Sequence, residues 1–128
     1  MEHPKLFVPG DPLVQRLREV CLALPEAVEV EAWGRPTFRA GKPIFVHTGS
    51  SMNRPYSIVF KTDTEEHRAL EQDPRFFHPP YYDRAHWLAI DFDGPDVDWQ
   101  ELAELIETSY RQVALKRQLA LLELARPR

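Results

Sequence analysis

Prolines divide this chain into short segments, and this division limits the possible folds more than any other feature of the sequence. The 128 residues contain twelve prolines and only five glycines. Proline fixes the backbone φ angle and ends both helices and strands, so the sequence predicts many short elements separated by firm corners. A chain of this length is expected to form a single domain with a core of its own.

The first elements are predicted to be a surface helix and a strand. Asp11 and Pro12 suit the N-cap and the first position of a helix, and apolar residues then recur at helical spacing. Residues 28–33 alternate between small apolar side chains and glutamate or tryptophan. This period of two predicts a strand with one covered face, to which Val28 and Val30 belong.

The middle of the chain predicts an antiparallel sheet. Its segments are a hairpin over 36–47, a strand over 56–61, a short polar helix over 62–74, a weakly signalled strand around Pro80–Tyr82 and a strand over 85–93. We therefore predict an α+β fold in two layers, with helices on one face of the sheet and the order α-β-β-β-α-β-(β)-α. The opposite face of the sheet is expected to stay open.

The last helical pattern is too long for a domain of this size. It starts with a capping box at Asp98 and Glu101 and continues to residue 125, which would give a helix of about 42 Å. The domain is taken to cover 1–128, with 115–128 as a helical C-terminal extension. The extension either packs back on the same chain or contacts a second subunit, and the leucines concerned are Leu115, Leu119 and Leu122.

Cys21, the only cysteine, limits the chemistry that this chain can perform. One cysteine excludes an internal disulfide and a cysteine-rich zinc site, and its place on the apolar side of the first helix predicts a buried, inert thiol. No apolar segment is long enough to span a membrane, and the first residues lack the features of a signal peptide. The expected location is the cytoplasm, without a membrane partner.

Three blocks of sequence resemble the MmcQ/YjbR family. They are "CLALPEAVEVEAWGRPTFRAGKPIFV" at 21–46, "HWLAIDF" at 86–92 and "ELIETSYRQV" at 104–113, and in register the resemblance covers roughly Leu13 to Val113. It implies a fold similar to secretion chaperones and frataxin-like proteins, with an antiparallel sheet backed by helices. It also implies DNA binding, since members are generally labelled as DNA-binding proteins with a "double wing" that faces a duplex. The resemblance carries no catalytic residues.

A concentration of positive charge marks the candidate site. Residues 33–61 hold five cations and no acid in a chain of net charge −4, so the remainder carries −4 − 5 = −9. Duplex binding draws much of its affinity from cations that neutralise phosphates. Trp33 and Phe45 are candidates for stacking or wedging against bases. The candidate phosphate contacts are Arg35, Arg39, Lys42, Arg54 and Lys61.

Three interpretations of this surface remain open at the level of the sequence. The alternation places Glu29 and Glu31 on the same open side as Arg39 and Lys61, so the face could neutralise itself through cross-strand pairs. It could also bind nucleic acid or a protein partner. We expect weak, largely non-specific duplex binding through residues 35–61. The alternative is a protein-interaction or chaperone-like module that uses the open face or the leucine-rich last helix.

No constellation of residues predicts an enzyme. The acids of residues 91–98 suit turns and a helix cap, and their spacing does not match a calcium loop. The five histidines lack a metal-ligand spacing, and no serine has an identifiable base. The expectation is therefore a protein without catalytic residues, metal or cofactor.

Overall fold

Four helices and six strands follow one another along residues 4–125, the part of the chain that this computed structural model describes. The predicted α+β class and order of elements are confirmed, and the block between the first two helices comprises four strands. The extra strand expected around Pro80–Tyr82 lies earlier in the chain, at Phe76–Phe77. The elements are α1 (Pro12–Leu22), β1 (Ala27–Ala32), β2 (Arg35–Ala40), β3 (Ile44–Thr48), β4 (Ser57–Lys61), α2 (Thr64–Glu71), β5 (Phe76–Phe77), β6 (Trp87–Asp91), α3 (Trp99–Val113) and α4 (Lys116–Ala125).

All six strands form one antiparallel sheet in the order β1-β2-β3-β4-β6-β5. Helices α1 and α3 pack against one face, and α2 lies next to β5. The side chains between sheet and helices are buried and apolar, as a two-layer fold requires. Those from the sheet include Phe38, Val46, Ile58, Phe60 and Leu88.

Helix α1 begins and packs as the sequence predicts. The Asp11 carboxylate accepts hydrogen bonds from the backbone N–H groups of Leu13 at 3.0 Å and Val14 at 3.2 Å. The Tyr56 hydroxyl donates to the same carboxylate, which ties the start of the helix to the sheet. Cys21 is fully buried in the core, and burial raises the pKa of its thiol well above the ordinary value.

A β-bulge in the β2–β3 pair overturns one sequence prediction. Phe38 pairs with Val46 but Arg39 pairs with Ile44, so Phe45 is an extra residue in β3. The bulge turns Phe45 toward the helices, where its ring meets Tyr110 edge-on at 5.4 Å between centroids and no part of it is exposed. The prediction that Phe45 stacks or wedges against bases at the surface is therefore wrong.

Strand β1 has the opposite orientation from the one predicted. Val28 and Val30 pair with Arg39 and Thr37 on the face away from the helices, and both valines are exposed. The acids alternate with the valines and so belong to the helix side; Glu29 bonds Arg18 of α1. An alternating pattern in an edge strand shows that two faces differ without showing which one is covered.

The last helical pattern breaks at Ala114, whose ψ angle of 151° is extended. Helix α4 then packs back on the same chain, with Leu122 in the core and Leu119 against it, whereas Leu115 stays exposed. The Gln118 side chain accepts from the Leu115 N–H at 2.9 Å and so caps the new helix. A dimer contact through these leucines stays a prediction. Within residues 4–125, no helix is both long and apolar enough to cross a bilayer.

Candidate nucleic-acid interface

The sheet face turned away from the helices carries the candidate site, and we call it the open face. Strand pairing fixes its members, because residues that pair directly point to the same side of a sheet. Asp91 is the single acid among these strand residues. They are Val28, Val30, Ala32, Arg35, Thr37, Arg39, Ile44, His47, Ser57, Val59, Lys61, Phe77, Trp87, Ala89 and Asp91.

Three of the five predicted cations have no acidic partner within residues 4–125. Arg39 and Lys61 lie on the open face, where Arg39 Nε donates to the Thr37 hydroxyl at 3.2 Å. Lys42 is exposed in the loop after β2, at the same end of the sheet as Lys61. The expectation that Glu29 and Glu31 neutralise this face is wrong, because both belong to the opposite side of β1.

The other two cations are engaged inside the chain. The Arg54 guanidinium donates to the Asp91 carboxylate at 2.8 Å and lies over the Phe77 ring at 4.2 Å. Arg35 donates to the Gly49 carbonyl, and burial lowers its pKa. Gly49 has a φ angle of 75°, and a β carbon there would collide with the Leu6 side chain. Arg35 and Arg54 therefore hold loops in place.

Four rings cross the open face in a continuous series, which we call the aromatic row. The ring centroids are 5.4 Å apart from Trp33 to His47, 5.9 Å from His47 to Tyr82 and 4.9 Å from Tyr82 to Trp87. The Tyr82 hydroxyl and His47 Nδ1 are hydrogen-bonded at 2.8 Å. Of these residues only Trp33 is a site residue predicted from the sequence.

His47 is held in its neutral form at the centre of this row. Burial is the main cause that lowers its pKa, to about 4, and the positive charges of Arg35 and Arg39 add to the effect. A lowered histidine pKa means that the imidazole carries no charge at pH 7. The positive charge near the row therefore comes from its neighbouring arginines and Lys61, without a contribution from His47.

We expect the variant His47→Asn to change how stability depends on pH. The lowered pKa means that the unfolded chain binds more protons, so the wild type is fully stable above pH 6.5 and loses stability as pH falls toward 4. Asparagine does not titrate and removes this loss. The free energy of unfolding of both proteins can be measured with urea from pH 8 to pH 4.5. The difference between the two values should be constant above pH 6.5, and below pH 6.5 the wild type should lose stability relative to His47→Asn. A pH-independent difference would contradict the assignment.

A pocket of about 680 Å³ lies beside the aromatic row, at the turn that joins β1 and β2, and we call it the hairpin pocket. The Leu6 N–H donates to the Gly34 carbonyl at 2.8 Å, so the amino-terminal segment is attached to the same turn. Two buried nitrogens at the pocket, Arg35 Nε and His47 Nε2, lack a hydrogen-bond partner among residues 4–125. None of the described residues that line the pocket is acidic; they are Trp33, Arg35, His47, Ser50, Ser51, Met52, Pro80, Tyr81 and Tyr82.

One group of side chains away from this face has the chemistry of a metal site. The ligand atoms of His67, Glu71 and His78 lie within 4.8 Å of one another, a grouping that the sequence analysis missed. However, His67 Nε2 is 2.9 Å from the Arg84 carbonyl, so it carries a proton there and its lone pair is not free. Glu71 and His78 are left as two potential ligands, and their own contact at 2.8 Å is a hydrogen bond.

Two acids of residues 91–98 have structural roles, and one of these is the role expected from the sequence. The Asp98 carboxylate accepts from the N–H groups of Gln100 at 3.0 Å and Glu101 at 3.1 Å and so caps α3, as predicted. Asp91 is the last residue of β6 and pairs with Arg54, which is neither a turn nor a cap contact.

Comparison with known proteins identifies the family. The chain is similar to a crystal structure of a Deinococcus radiodurans protein with the DUF419 domain, with 24 % sequence identity, a TM-score of 0.67 and coverage of 86 % of this chain and 87 % of the other. This similarity shows a shared fold. None of the curated proteins compared with the chain matches it. The family model YjbR matches residues 22–112, most of the sequence, and the chain therefore belongs to the YjbR family.

Proposed function

We propose that this protein binds nucleic acid weakly and with little sequence preference through its open face. The observation that carries the proposal is the position of Arg39 and Lys61 on that face without an acid to neutralise them. The acid of the same face, Asp91, is already paired with Arg54. A phosphate backbone would supply the missing negative charge.

The net charge of the protein limits the strength of this interaction. Cations that neutralise phosphates release counterions, and each contact adds to affinity in a salt-dependent way. Phosphate contacts by the three unpaired candidate cations, on a chain of net charge −4, correspond to a small electrostatic contribution. Helices α1 and α3 both pack on the far side of the sheet, so neither lies on the open face in the manner of a recognition helix. Binding is therefore weak and independent of sequence.

The aromatic row supports the same function. Accessible rings beside cations are the combination that proteins use to hold nucleic acids without reading their sequence, because every base has a face on which a ring can stack. In this row Trp33 is exposed and the other three rings are half-buried. Trp87 pairs directly with Lys61, and the arginines next to His47 include Arg39. A binding module of this kind needs no catalytic group, and a nucleic-acid partner agrees with a cytoplasmic location.

A salt titration tests the proposal. If Arg39, Lys42 and Lys61 each neutralise one phosphate of duplex DNA, the logarithm of the binding constant should fall with the logarithm of salt concentration at a slope of about −2.7. Fluorescence anisotropy of a labelled duplex between low and moderate salt measures this slope. Absence of binding at the lowest salt concentration would refute the proposal.

The exposed apolar residues of β1 favour protein docking as a second candidate function. Val28 and Val30 lie on the open side of an edge strand, whose free backbone groups can pair with a strand of another chain. Leu115, Leu121 and Leu124 are exposed around α4. Binding of this kind would depend little on salt, so the titration also separates the two candidates.

A further inference from the structure

Two aromatic residues of the hairpin pocket have backbone angles that bulky side chains avoid. The φ angles are 56° at Trp33 and 69° at Tyr81. Within residues 4–125 the third such non-glycine residue is Glu26, which lies away from the pocket and accepts a hydrogen bond from Gln118. Left-handed backbone is unfavourable for residues with a β carbon and is concentrated at functional sites. Local backbone preference therefore does not explain the aromatic residues at these positions.

Tryptophan also does not suit the type of turn in which Trp33 lies. Trp33 and Gly34 form a two-residue turn between the paired residues Ala32 and Arg35, and both turn residues have positive φ angles. This is the type I′ turn, which favours asparagine followed by glycine. The indole gains only partial burial in return, since Trp33 remains 53 % exposed. For folding alone, asparagine would be the better residue at position 33.

The hairpin pocket has the size and the chemistry of a site for a planar anionic ligand. Its volume of about 680 Å³ is in the range of small-molecule sites. Trp33 and Tyr81 supply ring faces, and Tyr81 is fully exposed. Its lining residues between positions 4 and 125 include no acid, and the charges of Arg35 and Arg39 make its surroundings electropositive. An aromatic ring attached to a phosphate fits these properties.

We propose that the hairpin pocket binds one unstacked base of a single-stranded nucleic acid, stacked on Trp33 and Tyr81, with its phosphate directed toward Arg39. This inference rests on the proposed nucleic-acid function of the open face and adds a preference for single strands. A paired base is buried in its own helix and cannot enter the pocket. A single strand therefore gains stacking energy that a duplex does not.

The variant Trp33→Asn tests the proposal without damage to the fold. Asparagine suits the type I′ turn, so the thermal midpoint should stay the same or rise. Affinity for a labelled single strand should fall by about 5- to 150-fold, the range for loss of one stacked base, and affinity for the duplex of the same sequence should fall by a clearly smaller factor. Tyr81→Asn, which also tolerates positive φ, should act in the same direction. If the wild type and Trp33→Asn bind the single strand with equal affinity, the proposal is overturned.

A second measurement separates failure of the pocket from failure of the open face. Adenosine monophosphate should shift the nitrogen-15 indole resonance of Trp33, assigned by its loss in Trp33→Asn, and ribose 5-phosphate, which lacks the base, should not. An unmoved resonance, or equal shifts by both compounds, overturns the pocket even if polymers bind in a salt-dependent way. Absence of polymer binding at low salt together with an unmoved resonance refutes both proposals. If no polymer binds but the Trp33 resonance still responds to the nucleotide, the open face is refuted as a phosphate site.

Discussion

The double variant Arg39→Ala and Lys61→Ala should lose nearly all binding of nucleic acid. Each phosphate contact contributes about 0.9 to the slope of binding against salt for a duplex, so loss of two contacts should change the slope from about −2.7 to about −0.9. At 0.1 M salt each contact contributes a factor of roughly 8, and the double variant should bind about 60-fold more weakly. Anisotropy with one labelled duplex measures both quantities.

A variant with the same change in charge serves as the control. Arg68 of α2 and Lys116 of α4 are exposed cations without an ion pair among residues 4–125, and both lie outside the open face. Their double replacement by alanine should leave the slope within experimental error of the wild type. A control that weakens binding as strongly would mean that net charge matters and the open face does not. If the double variant Arg39→Ala and Lys61→Ala has the same salt slope as the wild type, the phosphate contacts lie elsewhere.

The variant Phe45→Ala should have the largest effect on stability. Phe45 is completely buried, and its ring meets Tyr110 of α3 edge-on. Removal of a buried phenylalanine ring typically costs 3–5 kcal/mol, because the cavity adds to the lost transfer free energy. For a chain of this length the thermal midpoint should fall by about 12 to 20 °C. Urea unfolding and calorimetry measure the two values.

The same variant distinguishes a core residue from a surface residue. If Phe45 were an exposed wedge for bases, alanine would change stability by less than about 0.5 kcal/mol and would weaken binding. We expect the reverse for Phe45→Ala. The variant should be strongly destabilised, and its folded molecules, measured below the thermal midpoint, should bind nucleic acid with unchanged affinity. Phe45→Leu refills part of the cavity and should recover part of the lost stability.

Local patterns were sufficient for most elements of this fold, although they did not locate β5 or the break at Ala114. The caps at Asp11 and Asp98 have the expected hydrogen bonds, because capping depends on residues close together in sequence. The faces of β1 were not predictable, since its exposed valines follow the same alternation as buried ones. The bulge that buries Phe45 is also invisible in sequence, as it arises from pairing between two strands.

The candidate site was predictable in part, through its charges and Trp33. The alternation correctly put Arg39 and Lys61 on one side of the sheet. Pairing of Arg54 with Asp91 joins residues far apart in the chain, and no local signal announces it. Tyr82 joins the aromatic row from a proline-rich connection without periodicity. The turn at Trp33 did carry a signal, because a residue followed by glycine between two strands suggests a type I′ turn.

The hydrogen bond from Leu6 to Gly34 has a practical consequence for experiments on this protein. An affinity tag or fusion partner attached ahead of Pro4 would emerge next to the β1–β2 turn and could obstruct the pocket there. Helix α4 lies on the covered side of the sheet, with Leu122 in the core. Immobilisation through the carboxyl terminus would leave the ring-bearing surface accessible, so binding assays and sensor chips should use that end.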